Sequence, residues 1–356
     1  MANIPITIII PIYNGESYID RCLQNLLLGS YKSLEIVVVD DGSKDKTGVI
    51  LDAWAKKDSR LHVLHTENKG VSSARNTGIK YAVNCTEGVY YHFVDIDDVV
   101  MDGTYNNIMK IITESGIFPD ILVFGYTTIL LDKSGNQIRK EVNVPAFEGE
   151  LIDKELTERY FEYFGIRKGL RNSVCNKLFK ASVCNRVSFR TDLKQAEDLF
   201  FNIDALSQSR SIYLLPKTYY IYYKQPFGKD YYDSDIQMAF DRNKAICDRL
   251  IQIGVNKEDV LDEYYHKVLD TTYDNCMLII RGKSGNRSNS IRDSLKKLSD
   301  IRLPNHLHNT TLQQKSILVA KKIRGKYIQY GFLKVVFLGS RLIWISRNTL
   351  KRIWKI

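Results

Sequence analysis

Residues 35–47 (EIVVVDDGSKDKT) join a continuous β-branched run to two carboxylates, a glycine turn and an Asp45 placed to cap a helix. An apolar run of that length, closed by a turn, reads as a strand buried on both faces, the kind found in parallel sheets covered by helices. A similar run precedes it at residues 6–13 (ITIIIPIY), and between the two Ile19, Leu23, Leu26 and Leu27 recur at helical spacing. Strand, helix and strand in this order make a parallel βαβ unit.

The alternation continues with a helix over about 46–57, a strand at 61–65 (LHVLH), a helix preceded by Ser72 or Ser73 and running to about Asn84, and a strand at 89–94 (VYYHFV). A helix at 103–115 and a strand at 120–126 follow. Residues 127–172 are polar and read as irregular. Short strands and one helix (197–208) return over 173–224, ending in the aromatic strand 219–223 (YYIYY), and residues 235–300 read as helical. A Pro226-Phe227-Gly228 turn marks the boundary. The expected organisation is an α/β catalytic domain over 1–225, with the donor side in residues 1–125 and the acceptor side in 126–225. A helical C-terminal domain over 226–300 and a basic amphipathic tail over 301–356 complete it.

In open α/β sheets ligands bind beyond the carboxyl ends of the strands. Three polar loops lie there, 40–47, 67–76 and 95–98, and all should face one crevice. In the first, Asp40 and Asp41 can accept the edge N–H groups of a nucleotide base, although the stretch alone also reads as an Asx turn with a helix cap. In the second (NKGVSSARNTG, 68–78), a helix start and Arg75 together suit a diphosphate, or, taken alone, a cap and a surface arginine. In the third (DIDD, 95–98), three acids within four residues would repel one another unless a cation intervenes. Oxygen ligands suit Mn²⁺ or Mg²⁺, a solvated acidic loop being the plainer alternative.

Together the stretches PIYN (11–14), VVDDGSKDKT (38–47), GVSSARNTG (70–78) and DIDD (95–98) resemble glycosyltransferase family 2, and the resemblance covers about residues 5–224. It implies an α/β, Rossmann-like A-type glycosyltransferase domain with a mixed central sheet, a uridine-linked sugar donor, and transfer with inversion. By resemblance Pro11 and Tyr13 line the uracil, Asp41 accepts its N3–H with Asp40 beside it, and Asn68 and Arg75 lie against the ribose and diphosphate. Asp95, with Ile96 next to it, contacts the ribose or sugar, and Asp97 ligates the metal directly, with Asp95 as the second candidate metal ligand. Downstream, NKLF (176–179) and QAEDLFF (195–201) are similar to two further family elements, and Asp198 would be the general base. Ala196 stands where the family often has Gly, Ile96 where small or polar residues are common, and Met101-Asp102-Gly103 where a proline is usual. No Q-x-x-R-W stretch follows Asp198, which points to one sugar per acceptor rather than processive synthesis.

Composition narrows the partners. The 356 residues are 44% hydrophobic and 26% charged, within the range of globular proteins. The net charge of +10 is concentrated in residues 301–356, which hold twelve Lys or Arg and no acid, leaving residues 1–300 at −2. A near-neutral body with one basic tail suggests an anionic membrane surface rather than nucleic acid. Over 341–356 (RLIWISRNTLKRIWKI), Leu342, Ile343, Ile345, Leu350, Ile353, Trp354 and Ile356 project on one helical face, and Arg341, Arg347, Lys351, Arg352 and Lys355 on the other, with Trp344 the exception, the pattern of an interfacial helix. A helix packed on protein would share that pattern. Met1 is followed directly by the first strand with no basic and long apolar stretch between, so no signal peptide is expected, and no run of 18 uncharged apolar residues occurs. The expected setting is the cytoplasm, peripherally at the inner face of the plasma membrane, beside a glycan or lipid-linked acceptor; a homo-oligomer is compatible with the sequence.

The six cysteines show no C-x-x-C pair and read as reduced thiols. The six histidines show no ligand spacing with acids and receive no role. A nucleotidyltransferase would carry a G-x-G-x-R element where PIYNGE (11–16) stands, and a non-catalytic nucleotide-sugar-binding scaffold would be favoured only without Asp97 or Asp198.

Overall fold

The computed structural model describes residues 4–132, 134–164, 170, 172–193, 195–224, 236–281, 287–299, 301, 314 and 317. In chain order these form β1 (Ile6–Ile12), α1 (Ile19–Leu27), β2 (Leu34–Asp40), α2 (Thr47–Ala55), β3 (Leu61–His65), α3 (Val71–Cys85), β4 (Tyr90–Phe93), β5 (Val99–Val100), α4 (Thr104–Ser115), β6 (Ile121–Leu131), β7 (Gln137–Asn143), β8 (Gly149–Ile152), α5 (Glu155–Glu158), α6 (Tyr160–Phe164), β9 (Lys177–Lys180), α7 (Ala181–Cys184), α8 (Glu197–Ser207), β10 (Ser211–Lys224), α9 (Ile236–Gln252), α10 (Lys257–Arg281) and α11 (Arg287–Ser299). The chain divides into two compact units, Met1–Pro226 and Phe227–Ile356.

The first unit is built on a mixed sheet ordered β3-β2-β1-β4-β9-β6-β10-β5, with β7 added to β6 and β8 to β10. β3, β2, β1 and β4 are mutually parallel, and β9 runs antiparallel between β4 and β6. β1 is buried at all seven positions because it lies between β2 and β4 with α3 against it, which explains its unbroken apolar run. Pairing with β4 stops at Ile9↔Phe93, whereas pairing with β2 runs on to Ile12↔Asp40. β1 therefore loses one neighbour before Pro11, and that is where a residue lacking an N–H is tolerated in a central strand. The chain order turns back between β1 and β4, so a crevice opens beyond their carboxyl ends.

Residues 127–172 are more regular than the sequence suggests. β6 runs on to Leu131, and β7 pairs with it antiparallel from Tyr126↔Asn143 to Leu131↔Gln137. β7 is exposed along almost its whole length, so it carries no apolar alternation to reveal it. The helix expected after Ser72 or Ser73 starts two or three residues earlier, at Val71, since Gly70 takes φ +89° and turns the chain into it.

The second unit packs α9, α10 and α11 around Phe240, Val268, Leu269, Ile291, Leu295 and Leu298. Ile317, inside the stretch read as tail, is buried in the same cluster, and buried Gln314 donates Nε2 to Asp270 and accepts at Oε1 from His266 Nδ1. The candidate interfacial helix 341–356 lies outside the described residues. None of the described helices is long and apolar enough to cross a membrane.

Candidate active site

Three loops after parallel strands are cross-linked by their own side chains. Beyond β1, the Asn14 N–H donates to Ser43 Oγ (2.9 Å) and Asn14 Oδ1 accepts from the Lys44 N–H (2.8 Å). The Gly15 N–H donates to Thr47 Oγ1 (2.9 Å), and Glu16 exchanges contacts with Asp45 and the Lys46 N–H. Asp45 also accepts from the Thr47 N–H (3.0 Å), so it joins the two loops as well as serving the start of α2. Asp41, buried at the end of β2, accepts from the Lys69 N–H (2.9 Å) and the Gly70 N–H (2.8 Å), tying in the loop after β3. Gly42 makes this approach possible: a Cβ there would stand 2.7 Å from Asn68 N, and its φ is +73°.

This frame fixes the residues expected at the base and ribose. Pro11 is buried in β1, Tyr13 projects beside it with 51% of its surface exposed, and Asn68 is exposed on the loop that Asp41 holds. Half-buried Ile96 reaches toward Gly15 from the 95–98 loop. Asp40 accepts from the Ser43 N–H (3.0 Å) and pairs with His65 Nδ1 (2.9 Å), whose Nε2 meets Asp52 (3.2 Å). Burial pushes the Asp40 carboxyl up, but Ser43 and His65 together outweigh it and leave it below the ordinary carboxylate range. Asp40 and then Asp52 raise His65 in turn. No acid stands at ligand spacing from His65 along the chain; the acids that meet it lie 25 and 13 residues away and come together only when β2, β3 and α2 pack.

The three acids of the 95–98 loop separate into different roles. Asp98 is 1% exposed: its Oδ2 accepts the Tyr220 hydroxyl (2.7 Å) and its Oδ1 the Tyr223 N–H (2.9 Å), which fastens the loop to β10. Asp95 Oδ1 accepts from Arg75 Nη2 (2.9 Å), and its Oδ2 lies 3.5 Å from Cys175 Sγ. Two of these acids find donors within the chain, Asp98 from Tyr220 and the Tyr223 N–H of β10 and Asp95 from Arg75. Asp97 is different. Its carboxylate takes no hydrogen bond from another described residue, and burial and then the Asp95 charge raise its pKa.

Arg75 is the hub of the site. From the second turn of α3, with 3% of its surface exposed, it donates Nη2 to Asp95 and Nη1 to Asp198 Oδ1 (2.7 Å), with Glu197 3.8 Å away. Its guanidinium lies 5.2 Å from the Phe189 ring, which stacks on Phe201 at 4.0 Å; Phe93 and Phe179 close the apolar floor around that pair. The sequence placed Arg75 against ribose and diphosphate; the structure turns it to the acids and joins the ends of β4 and α8 through it. Asp198, in the first turn of α8, is raised to about 6, by burial first and then by Glu197 and Asp95, against the opposing pull of Arg75. A carboxylate with that pKa is suited to take a proton near neutral pH.

Several supporting residues were not singled out in the sequence. Asn76 exchanges two hydrogen bonds with the Phe189 backbone (2.8 Å each), holding the ring under Arg75. Buried Lys177 donates to the Leu170 and Ser173 carbonyls and to Asn176 Oδ1, and burial pushes its pKa down to about 7 against the pull of Asp198. Both lie inside recognised motifs, A-R-N and N-K-L-F. His92, buried and pushed down to about 4 by burial, bridges the Tyr105 hydroxyl and the Cys175 carbonyl (2.8 Å each); no local pattern announces it.

No group of three or more His, Cys, Asp or Glu among the described residues is arranged to hold a metal ion. The side chains present nevertheless fit a hard divalent cation whose shell a donor's phosphates complete. Asp97 offers an unpartnered, half-buried carboxylate whose ionisation a cation would favour, with Asp95, shared with Arg75, beside it.

Comparison with known proteins identifies the family and the fold. The profile described as glycosyl transferase family 2 matches residues 7–179. The chain is 30% identical over 265 residues to the Bacillus subtilis protein named Uncharacterized glycosyltransferase EpsJ, spanning 72% of this chain and 73% of that one. It is 24% identical over 269 residues to the B. subtilis minor teichoic acid biosynthesis protein GgaB, spanning 75% of this chain and 28% of that protein. Among solved structures, S. aureus TarS 1–349 in complex with UDP-GlcNAc matches with a TM-score of 0.63 and 19% identity, over 95% of this chain and 92% of that one. The last likeness concerns the fold, an A-type glycosyltransferase sheet followed by helices. With motifs, fold and relatives in agreement, the chain belongs to glycosyl transferase family 2 and is a glycosyltransferase.

Proposed function

We propose that the protein transfers one sugar, with inversion, from a uridine-linked nucleotide sugar to a hydroxyl of a glycan or lipid-linked acceptor in the synthesis of a cell-surface polysaccharide. The observation that carries this reading is the single buried guanidinium between Asp95, at the end of the donor-side strand β4, and Asp198, at the head of α8. The UDP-GlcNAc bound by TarS and the teichoic acid named for GgaB support the donor and acceptor classes.

In this reading the loops after β1, β2 and β3 hold the nucleoside, with Tyr13 against the base and Asp41 at its edge. Arg75 keeps Asp95 and Asp198 in fixed relation. Asp198 takes the proton of the acceptor hydroxyl as its oxygen attacks the anomeric carbon, and the bond from that carbon to the diphosphate oxygen breaks on the opposite face. Mg²⁺ or Mn²⁺ held by Asp97, with Asp95 beside it, would supply Lewis-acid stabilisation of the departing diphosphate. The basic tail would keep the enzyme at the cytoplasmic face of an anionic membrane, where lipid-linked acceptors are presented.

The test is nucleotide release from a panel of uridine- and guanosine-linked sugars in the presence of Mn²⁺. A uridine-linked donor should release its nucleotide slowly by hydrolysis without acceptor and faster by transfer with it. Turnover confined to guanosine-linked sugars would overturn the donor assignment.

A further inference from the structure

Deepening the reading of Asp97 as the metal ligand, and resting on it, we infer that Arg21 is a positioning residue that aims this carboxylate at the donor. Arg21 lies on the exposed side of α1, away from the face that buries Ile19, Cys22, Leu23, Leu26 and Leu27, so packing of the helix does not require it. Its Nη2 donates to the main-chain carbonyl of Asp97. The same guanidinium lies 5.2 Å from the Tyr223 ring and 5.8 Å from the Tyr18 ring. A planar cation can stack on an aromatic face while donating in its own plane, which an ammonium does less well.

The contact completes a set of anchors on one short turn. The Asp98 N–H closes back on the Asp95 carbonyl (3.1 Å), the Asp95 N–H donates to the Tyr220 hydroxyl (3.2 Å), and that hydroxyl donates to Asp98. Asp98 in turn accepts from the Tyr223 N–H, on the residue whose ring Arg21 covers. β10 thus holds the turn at both ends, and α1 holds its middle through Arg21. With the Asp97 carbonyl held, the backbone at Asp97 and so its Cα–Cβ bond are held as well, and its carboxylate is the one in the turn without a hydrogen bond from another described residue. Among the motif acids and their contacts, Arg21 is the group that acts on Asp97 from outside the turn.

The measurement is UDP affinity by calorimetry in EDTA and in saturating Mn²⁺, for wild type, Arg21→Gln and Arg21→Lys. Wild type should bind UDP more tightly with Mn²⁺. Arg21→Gln should unfold at the wild-type temperature and keep the EDTA affinity, but lose roughly tenfold of the Mn²⁺-dependent gain, the scale of one hydrogen bond from a charged group. Arg21→Lys should recover some of it, and Tyr223→Leu, which removes only the stacking ring, should lose less than Arg21→Gln. If Arg21→Gln keeps the full Mn²⁺-dependent gain, or weakens UDP binding equally in EDTA, the positioning role is wrong; the second result would make Arg21 a direct nucleotide ligand. A wild-type protein indifferent to Mn²⁺ would instead sink the metal reading of Asp97, and this inference with it.

Discussion

In the proposed mechanism Asp198 and Arg75 divide the work of the site between proton transfer and geometry. With its carboxyl raised to about 6, Asp198 is protonated below that pH and cannot accept the acceptor's proton, so kcat should fall about tenfold per unit below pH 6 and level off above it. A rate profile flat from pH 5 to 8 would contradict the base assignment. Arg75→Lys cannot bridge two carboxylates at once, so it should lose activity and destabilise the first unit by on the order of 3 kcal/mol, the cost of breaking a buried charge network; denaturant unfolding checks this. At this scale the sequence was informative about residue types and less so about pairings. Asp95, Asp97 and Asp98 were legible as an acidic cluster, but which acid meets Arg75, which meets Tyr220 and which is left over depends on partners between 20 and 125 residues away.

At the scale of elements, two left-handed positions make opposite predictions. Ala196 precedes α8 at φ +66°, which explains why Gly is common there in the family. The strain of a Cβ in this region, about 1–2 kcal/mol, exceeds the entropy cost of glycine, so Ala196→Gly should raise stability by roughly 0.5–1 kcal/mol. Gly42→Ala adds a Cβ at φ +73° and close to Asn68 N, and should cost at least about 1 kcal/mol and weaken UDP binding by loosening the loop that Asp41 holds. Thermal unfolding of both variants is the check, and equal shifts of the same sign would refute the account. Elements with a buried face were legible: β1, β2, β3, α1 and α4 lie where apolar runs and helical spacing place them. β7 was not, because Ile138 and Val142 are exposed and no buried stripe marks the strand. β8 is four residues long with Leu151 alone buried, too short for periodicity to register.

For the whole molecule, the sequence marked two units and a charged end, and the structure describes a catalytic sheet and a helical unit. Because Gln314 and Ile317 are buried within the helical unit, a test of the membrane proposal should spare them and remove only residues 341–356. The intact chain should float with anionic but not neutral vesicles, high salt should weaken the association, and the shortened chain should stay behind; equal flotation of both would assign the tail to protein packing. The central claim is that a family 2 site organised around Arg75 uses Asp198 as its base, and single-turnover transfer tests it most directly. With the donor identified by the hydrolysis panel, Asp198→Asn should bind UDP as the wild type does and transfer sugar roughly 10²-fold or more slowly. Transfer by Asp198→Asn at the wild-type rate, or an equal loss confined to Glu197→Gln, would contradict it.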